Sequence, residues 1–211
     1  MVKMLGAMLE GSIVSLEIFF LTLLFALPLA LPVAFGRMSA SRLLSVPVNL
    51  YILVMRGTPL ILQIIFVYFA PYYVFEASYD RFTAVIVAFV LNYAAYFAEI
   101  YRGGIQSIPK GQYEAAKVLG FTRADTFFRI VLPQVVKRIL PATANETITL
   151  VKDTALAQTI GVAELFRVAQ NASARQFSTM PIFIAGAFYF VMNWVVSELF
   201  LRAERKLAYY S

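Results

Sequence analysis

The chain has 211 residues, 61% of them hydrophobic and 14% charged, with no cysteine, no histidine and a formal net charge of +6. That apolar share exceeds the roughly half typical of soluble domains, so a bilayer is the first solvent to consider. The missing cysteines remove disulfides and thiolate chemistry. Without histidine, a zinc or histidine-base enzyme lacks its ordinary ligands and base.

Taken in chain order, the first long apolar run is Ile18 to Gly36, 19 residues without a charge. A bilayer core of about 30 Å takes roughly 20 helical residues, so this run predicts a membrane span. It is longer than the apolar core of a signal peptide and follows Glu10 and Glu17, which favours a retained helix. Leu43 to Met55, interrupted by Pro47, is too short to cross alone and reads as a membrane-surface segment or one leading into the bilayer. Arg56, beside Gly57 and Pro59, reads as a kink and an anchor. Leu60 to Phe75 then supplies 16 uncharged residues and a further span, whose aromatics at 67–73 suit an interfacial belt.

Phe82 to Ala98 is a third span of 17 uncharged residues. Ala84 and Ala88, and Ala94 and Ala98, are small residues four apart that would let helix backbones approach closely. Glu99 ends the run and is expected to pair with Arg102, three residues on, near the membrane interface.

From about 102 to 138 the chain is polar enough for water but too patterned for a simple connector. Pro109 and Gly111 open it, and Tyr113 to Leu119 is predicted as a short helix rich in helix formers. Gly120 stands where helices end in a left-handed residue. Thr122 and Asp125 have the spacing of a capping box that starts a second helix. Asp125 and Arg129 can pair across one turn. Pro133 marks a boundary or kink. The unit is helix, glycine turn, helix, carrying Val118, Leu119, Phe121, Phe127, Phe128 and Ile130. So many large apolar groups in a water-facing loop need cover. Two readings fit the pattern: a protein partner docked on a rigid hook, or an amphipathic loop lying on the interface.

Ile139 to Val151 and its continuation form an unusually polar fifth span. At helical spacing Asn145, Thr149 and Asp153 share one stripe, flanked by Glu146 and Lys152. A charge at the bilayer centre costs about 2.5 to 3.5 kcal/mol on insertion scales, so the stripe should face protein or a wet cavity. It could line a passage, with Asp153 or Glu146 accepting from an ammonium and Lys152 or Thr149 donating to a carboxylate. It could equally be structural, with Lys152 bridging an acid to lock two helices, or with all three charges sitting at the outer interface. Met180 to Ser197, 18 uncharged residues, is the last span.

The sum is an all-α integral membrane protein with five transmembrane helices in one domain, 1–211. Alternate loops hold most of the Lys and Arg, from Arg37 and Arg42 through 102–138 to Arg202, Arg205 and Lys206. That bias places the N-terminus outside and the C-terminus in the cytoplasm, and it explains the net charge without nucleic acid. An odd span count excludes two inverted halves. Five helices enclose little volume, so a passage for a solute points to two such chains side by side.

The spacing of Glu114, Ala115, Ala116, Gly120, Ile130, Leu132 and Pro133 resembles the EAA loop of ABC-importer permeases. "MRGTPLILQ" at 55–63, "NYAAYFAEIYRGGIQSIPKGQYEAA" at 92–116 and "KDTALAQTIGVAEL" at 152–165 are similar to the polar amino acid branch of that family (histidine, glutamine and arginine type). The resemblance implies a type-I importer permease fold in a bacterial cytoplasmic membrane. It also implies that those seven residues couple the chain to a separate ATPase subunit. Further implied are a second permease chain, an extracytoplasmic solute-binding protein and a polar amino acid substrate. The sequence agrees on one point: the one pair of glycines at P-loop spacing, Gly6 and Gly11, is followed by Ser12 rather than lysine. ATP and magnesium would then be bound by the partner, with no cofactor in this chain. The rivals are a small channel, which needs no ATPase, and an intramembrane enzyme, for which no catalytic constellation stands out.

Overall fold

The computed structural model describes residues 2–77 and 80–207. Every regular element among the described residues is helical. The chain opens with α1 (Val2–Arg37), α2 (Arg42–Gly57), α3 (Leu60–Phe75) and α4 (Arg81–Gln106). The short helices α5 (Lys110–Val118) and α6 (Arg123–Asp125) follow, and a π-helical stretch, Thr126–Val131, runs directly into α7 (Leu132–Asp153). A 3-10 segment (Thr154–Ile160), α8 (Leu165–Gln176) and α9 (Met180–Leu207) complete the order.

Three of these helices, α1, α4 and α9, are long and apolar enough to cross a membrane; the bent pair α2–α3 makes four if it counts as one span. Pro28 and Pro32 lie inside α1, as membrane helices tolerate where neighbours resatisfy the backbone. The predicted membrane-surface segment at 43–55 is a full helix. It turns through 112° into α3, because Thr58 and Pro59 interrupt the helical path and both are extended.

The central packing is α1 along α4. Small residues are buried on both sides: Ala26, Ala30 and Ala34 on α1, and Ala84, Ala88, Ala94 and Ala98 on α4. Between hydrocarbon-like surfaces there is little hydrophobic drive, so close backbone approach and dispersion hold such helices together. The alanine pairs on α4 were legible from spacing; the matching row on α1 completes them. Farther along, α4 meets α7 at Gly104, where an added Cβ would collide with Ile139 Cγ2. Asp80 caps α4, its carboxylate accepting from the amides of Phe82 (3.0 Å) and Thr83 (3.1 Å). Hydrogen bonds from Thr83, then from Phe82, hold this carboxyl below its ordinary pKa.

Candidate functional site

The water-facing hook is built as the spacing indicates, with shifted bounds. Its first helix begins at Lys110, because Pro109, extended at φ −59 and ψ 139, starts it. Gly120 adopts φ +79. The Gly120 amide donates to the Lys117 carbonyl (3.1 Å) and the Phe121 amide to the Ala116 carbonyl (3.0 Å), a Schellman closure of α5. Thr122 Oγ1 accepts from the Asp125 amide at 3.1 Å. The return half of the box differs: the Asp125 carboxylate takes the Thr122 hydroxyl at 2.5 Å rather than its backbone amide. Asp125 pairs with Arg129 at 3.3 Å.

Pro133 does not stop the helix. The Leu132 amide reaches back to the Phe127 carbonyl in the wider π pattern, and the proline sits in the first turn of α7. The missing amide and the bulky ring are absorbed by that bulge.

The apolar residues of the hook divide into two sets. Phe127 turns inward, 6.2 Å from Phe35 of α1, and packs with the buried Ile108, Val131 and Val135. Ala116 is buried, while Val118 is 87% exposed, Leu119 74% and Phe128 65%. Glu114, Ala115 and Pro133 are exposed as well, and Ile130 and Leu132 are half-buried. An open cleft of about 650 Å³ lies beside them, lined by Arg129, Ile130, Pro133, Gln134, Lys137 and Arg138.

On α7 the polar stripe is held from α4. Tyr93, 1% exposed and stacked on Phe89, donates its hydroxyl to Asp153 Oδ2 at 2.8 Å. Glu146 and Asp153 are half-buried, whereas Asn145, Thr149 and Lys152 are exposed. The Thr149 hydroxyl donates to the Asn145 carbonyl (3.0 Å). Among the described residues Lys152 makes no ion pair within 4 Å, so it does not bridge to either acid here. The two acids therefore lie at the edge of an open polar face.

Two arrangements escaped the sequence reading. The bend between α2 and α3 is locked by side chains. Gln63 Nε2 donates to the Met55 carbonyl (2.9 Å) and to Thr58 Oγ1 (2.8 Å). Asn92 Nδ2 donates to the same Met55 carbonyl (3.1 Å) and to Gln63 Oε1 (2.9 Å). The signal was there: each is a lone amide side chain in an apolar run, and such a group must find partners. The second is Glu164, fully buried, which caps α8 by accepting from the Phe166 and Arg167 amides at 2.7 Å. It also accepts from the Tyr189 hydroxyl at 2.8 Å, tying α8 to α9.

Glu99 pairs with Arg102 as expected, through two bonds of 2.9 and 2.7 Å. Arg37 and Arg56 also approach it, each at 3.7 Å.

Membrane-length helices, a polar stripe with two half-buried acids and a projecting hook define a membrane transport subunit. The chain belongs to the family of binding-protein-dependent transport system inner membrane components, whose model matches residues 26–209. It is similar to the L-cystine transport system permease protein of Bacillus subtilis, 41% identical over 90% of this chain and 82% of that protein. The glutamine transport system permease protein of Escherichia coli K12 is 38% identical over 95% of this chain and 92% of its own length. The structure superposes on an amino acid ABC transporter crystallised with histidines, with a TM-score of 0.90 at 36% identity, covering 98% of this chain and 96% of that one. A methionine ABC transporter, at 17% identity and a TM-score of 0.74, shares the fold.

Proposed function

We propose that this chain is the permease subunit of an ABC importer that carries a polar amino acid across a bacterial cytoplasmic membrane, driven by ATP hydrolysis in a separate subunit. The observation that carries the reading is the hook: a short helix closed at Gly120 with Val118, Leu119 and Phe128 left uncovered. The relatives named above are permeases for amino acids, which supports the substrate class.

In this reading α1, the α2–α3 pair, α4, α7 and α9 are five spans of one domain, 1–211, with the N-terminus outside. Two permease chains enclose the passage, and a solute-binding protein delivers from outside. ATP and magnesium sit in the ATPase. Glu114, Ala115, Ala116 and Gly120 form the part that enters the ATPase, while Ile130, Leu132 and Pro133 pass its movement into α7. The stripe lines the passage: Asp153 and Glu146 accept from the solute ammonium, and Asn145, Thr149 and Lys152 offer polar contacts to the rest.

The test is uptake by proteoliposomes holding the permease, its ATPase and its binding protein. Amino acid accumulates only with ATP and binding protein, and Asp153→Asn lowers uptake at least about tenfold, since removing a charge-assisted contact costs about 1.5 to 3 kcal/mol. ATP-independent passage would contradict the importer. Unchanged uptake by the assembled Asp153→Asn complex would remove the stripe from the passage.

A further inference from the structure

Among the described residues, four adopt a left-handed backbone. Two are Gly120 and Gly161, and the third is Glu76, whose charge suits water. The fourth is Phe177, at φ +48, where α8 gives way to α9. A large side chain crowds the backbone there, and glycine or asparagine would relieve it. The turn is nevertheless held. The Phe177 and Ser178 amides both donate to the Ser173 carbonyl, and the Ser173 hydroxyl donates to the Ser178 carbonyl (2.5 Å). The Met180 amide donates to Ser178 Oγ (3.2 Å). A ring 98% exposed thus stands on a corner that its neighbours keep in shape. Strain maintained in this way points to a use for the group it presents.

The neighbouring surface indicates what covers that ring. Met180 and Phe183 are exposed at the start of α9, and Phe190 and Trp194 follow Phe183 at intervals of seven and four, on one helical face. Of the three membrane-length helices α9 is the least enclosed. In its most apolar stretch 11% is buried, against 33% in α1 and 56% in α4. This face has no charge from Met180 to Ser197, and Phe177 stands about one turn beyond its end. Lys152, at the end of α7 away from the hook, shares a cleft with Ile182 and Tyr189 of α9. The corner therefore belongs to the leaflet opposite the hook.

Cations stand at the same level. Arg175 is exposed two residues before Phe177. The Gln176 side-chain amide donates to Met4 Sδ of α1 (3.4 Å), which brings the exposed Lys3 to this corner. Neither Arg175 nor Lys3 enters an ion pair within 4 Å among the described residues. An aromatic ring with cations at the edge of an apolar band suits a membrane boundary, where rings sit at headgroup depth and cations meet phosphate.

We infer that the α8–α9 corner is a phospholipid site of that leaflet, in which Phe177 enters among the upper acyl chains and Arg175, with Lys3, holds the lipid phosphate. Burying the ring in lipid offsets the strained turn and pins α8, which has no membrane-length apolar run of its own, to the interface.

The test uses the full chain in phosphatidylcholine nanodiscs containing phosphatidylglycerol. Phe177→Trp is made in a Trp194→Phe background, Trp194 being the one tryptophan of the chain. Lipids brominated on upper acyl carbons should quench the introduced indole more than lipids brominated near the chain ends. Aqueous acrylamide should quench it several-fold less than free tryptophan. Native mass spectrometry supplies the second readout. Arg175→Gln combined with Lys3→Gln should lower retention of phosphatidylglycerol at least about fivefold. Retention of diacylglycerol, which lacks the phosphate, should not change. Acrylamide quenching equal to that of free tryptophan would put the ring in water and overturn the inference. Shielding from acrylamide without quenching by either brominated lipid would give the corner to a second copy of the chain, and overturn it too. Unchanged phosphatidylglycerol retention, or equal loss of both lipids, would remove the phosphate contact and with it the site.

Discussion

Gly120 shows how much can depend on one backbone angle. Its φ of +79 lies where side chains crowd the following carbonyl, yet nothing stands within 4 Å of the Cβ position. A substitution there therefore meets conformational strain and no neighbour. Valine costs roughly 1 to 2 kcal/mol in that region, enough to reduce correctly turned hooks by about tenfold. Gly120→Val should insert and assemble but lose most ATP-driven uptake in proteoliposomes, whereas Gly120→Asn, which tolerates the left-handed turn, should keep it. Normal uptake by the valine variant would refute a coupling role for this turn. The left-handed glycine was legible in the sequence because helix formers run up to it and a cap follows. The bond from Tyr93 to Asp153 was not, since residues 60 positions apart meet only through packing of α4 on α7.

At the scale of elements the sharpest feature is the 112° turn from α2 to α3. Thr58 and Pro59 permit it, but the Met55 carbonyl that it frees must be satisfied inside the membrane. Gln63 and Asn92 do so together, at 9% and 5% exposure. Removing either leaves one donor on that carbonyl, and removing both leaves a buried acceptor unpaired, at a cost of about 1 to 3 kcal/mol. Asn92→Ala and Gln63→Met should each lower the thermal unfolding midpoint of the purified subunit. The double variant should lose more than the sum, because only it strips both donors from the one carbonyl. Additive losses would show that the two act separately. Length and hydropathy indicated the two segments, but the angle between them depends on these distant amides. The same limit applied at Pro133: its chemistry predicts a boundary or kink, while the π turn before it let the helix continue.

Across the whole molecule the functional parts are strung along two connected lines. One runs from the exposed hook through the π turn into α7 and its stripe. The other runs from the locked bend at Arg56 to Glu99 on α4, which packs against α7 at Gly104. The hook, the π turn and the helix that carries Glu146 and Asp153 are thereby continuous in the chain, which is the path the proposed coupling takes. The long apolar runs and the hook were plain in the sequence because each is local. The approach of Arg37 and Arg56 to the expected Glu99–Arg102 pair was not, as three helices contribute to it.

The chain has no cysteine, so single cysteines report contacts cleanly. The most direct measurement places one at Val118, 87% exposed on the hook, or at Phe177, 98% exposed beyond the far end of α7, and oxidises the assembled complex against cysteines introduced in the ATPase. The expected result is a cross-link to the ATPase from Val118→Cys and none from Phe177→Cys. Cross-linking from Phe177→Cys with none from Val118→Cys would put the motor at the opposite face and contradict coupling through the hook.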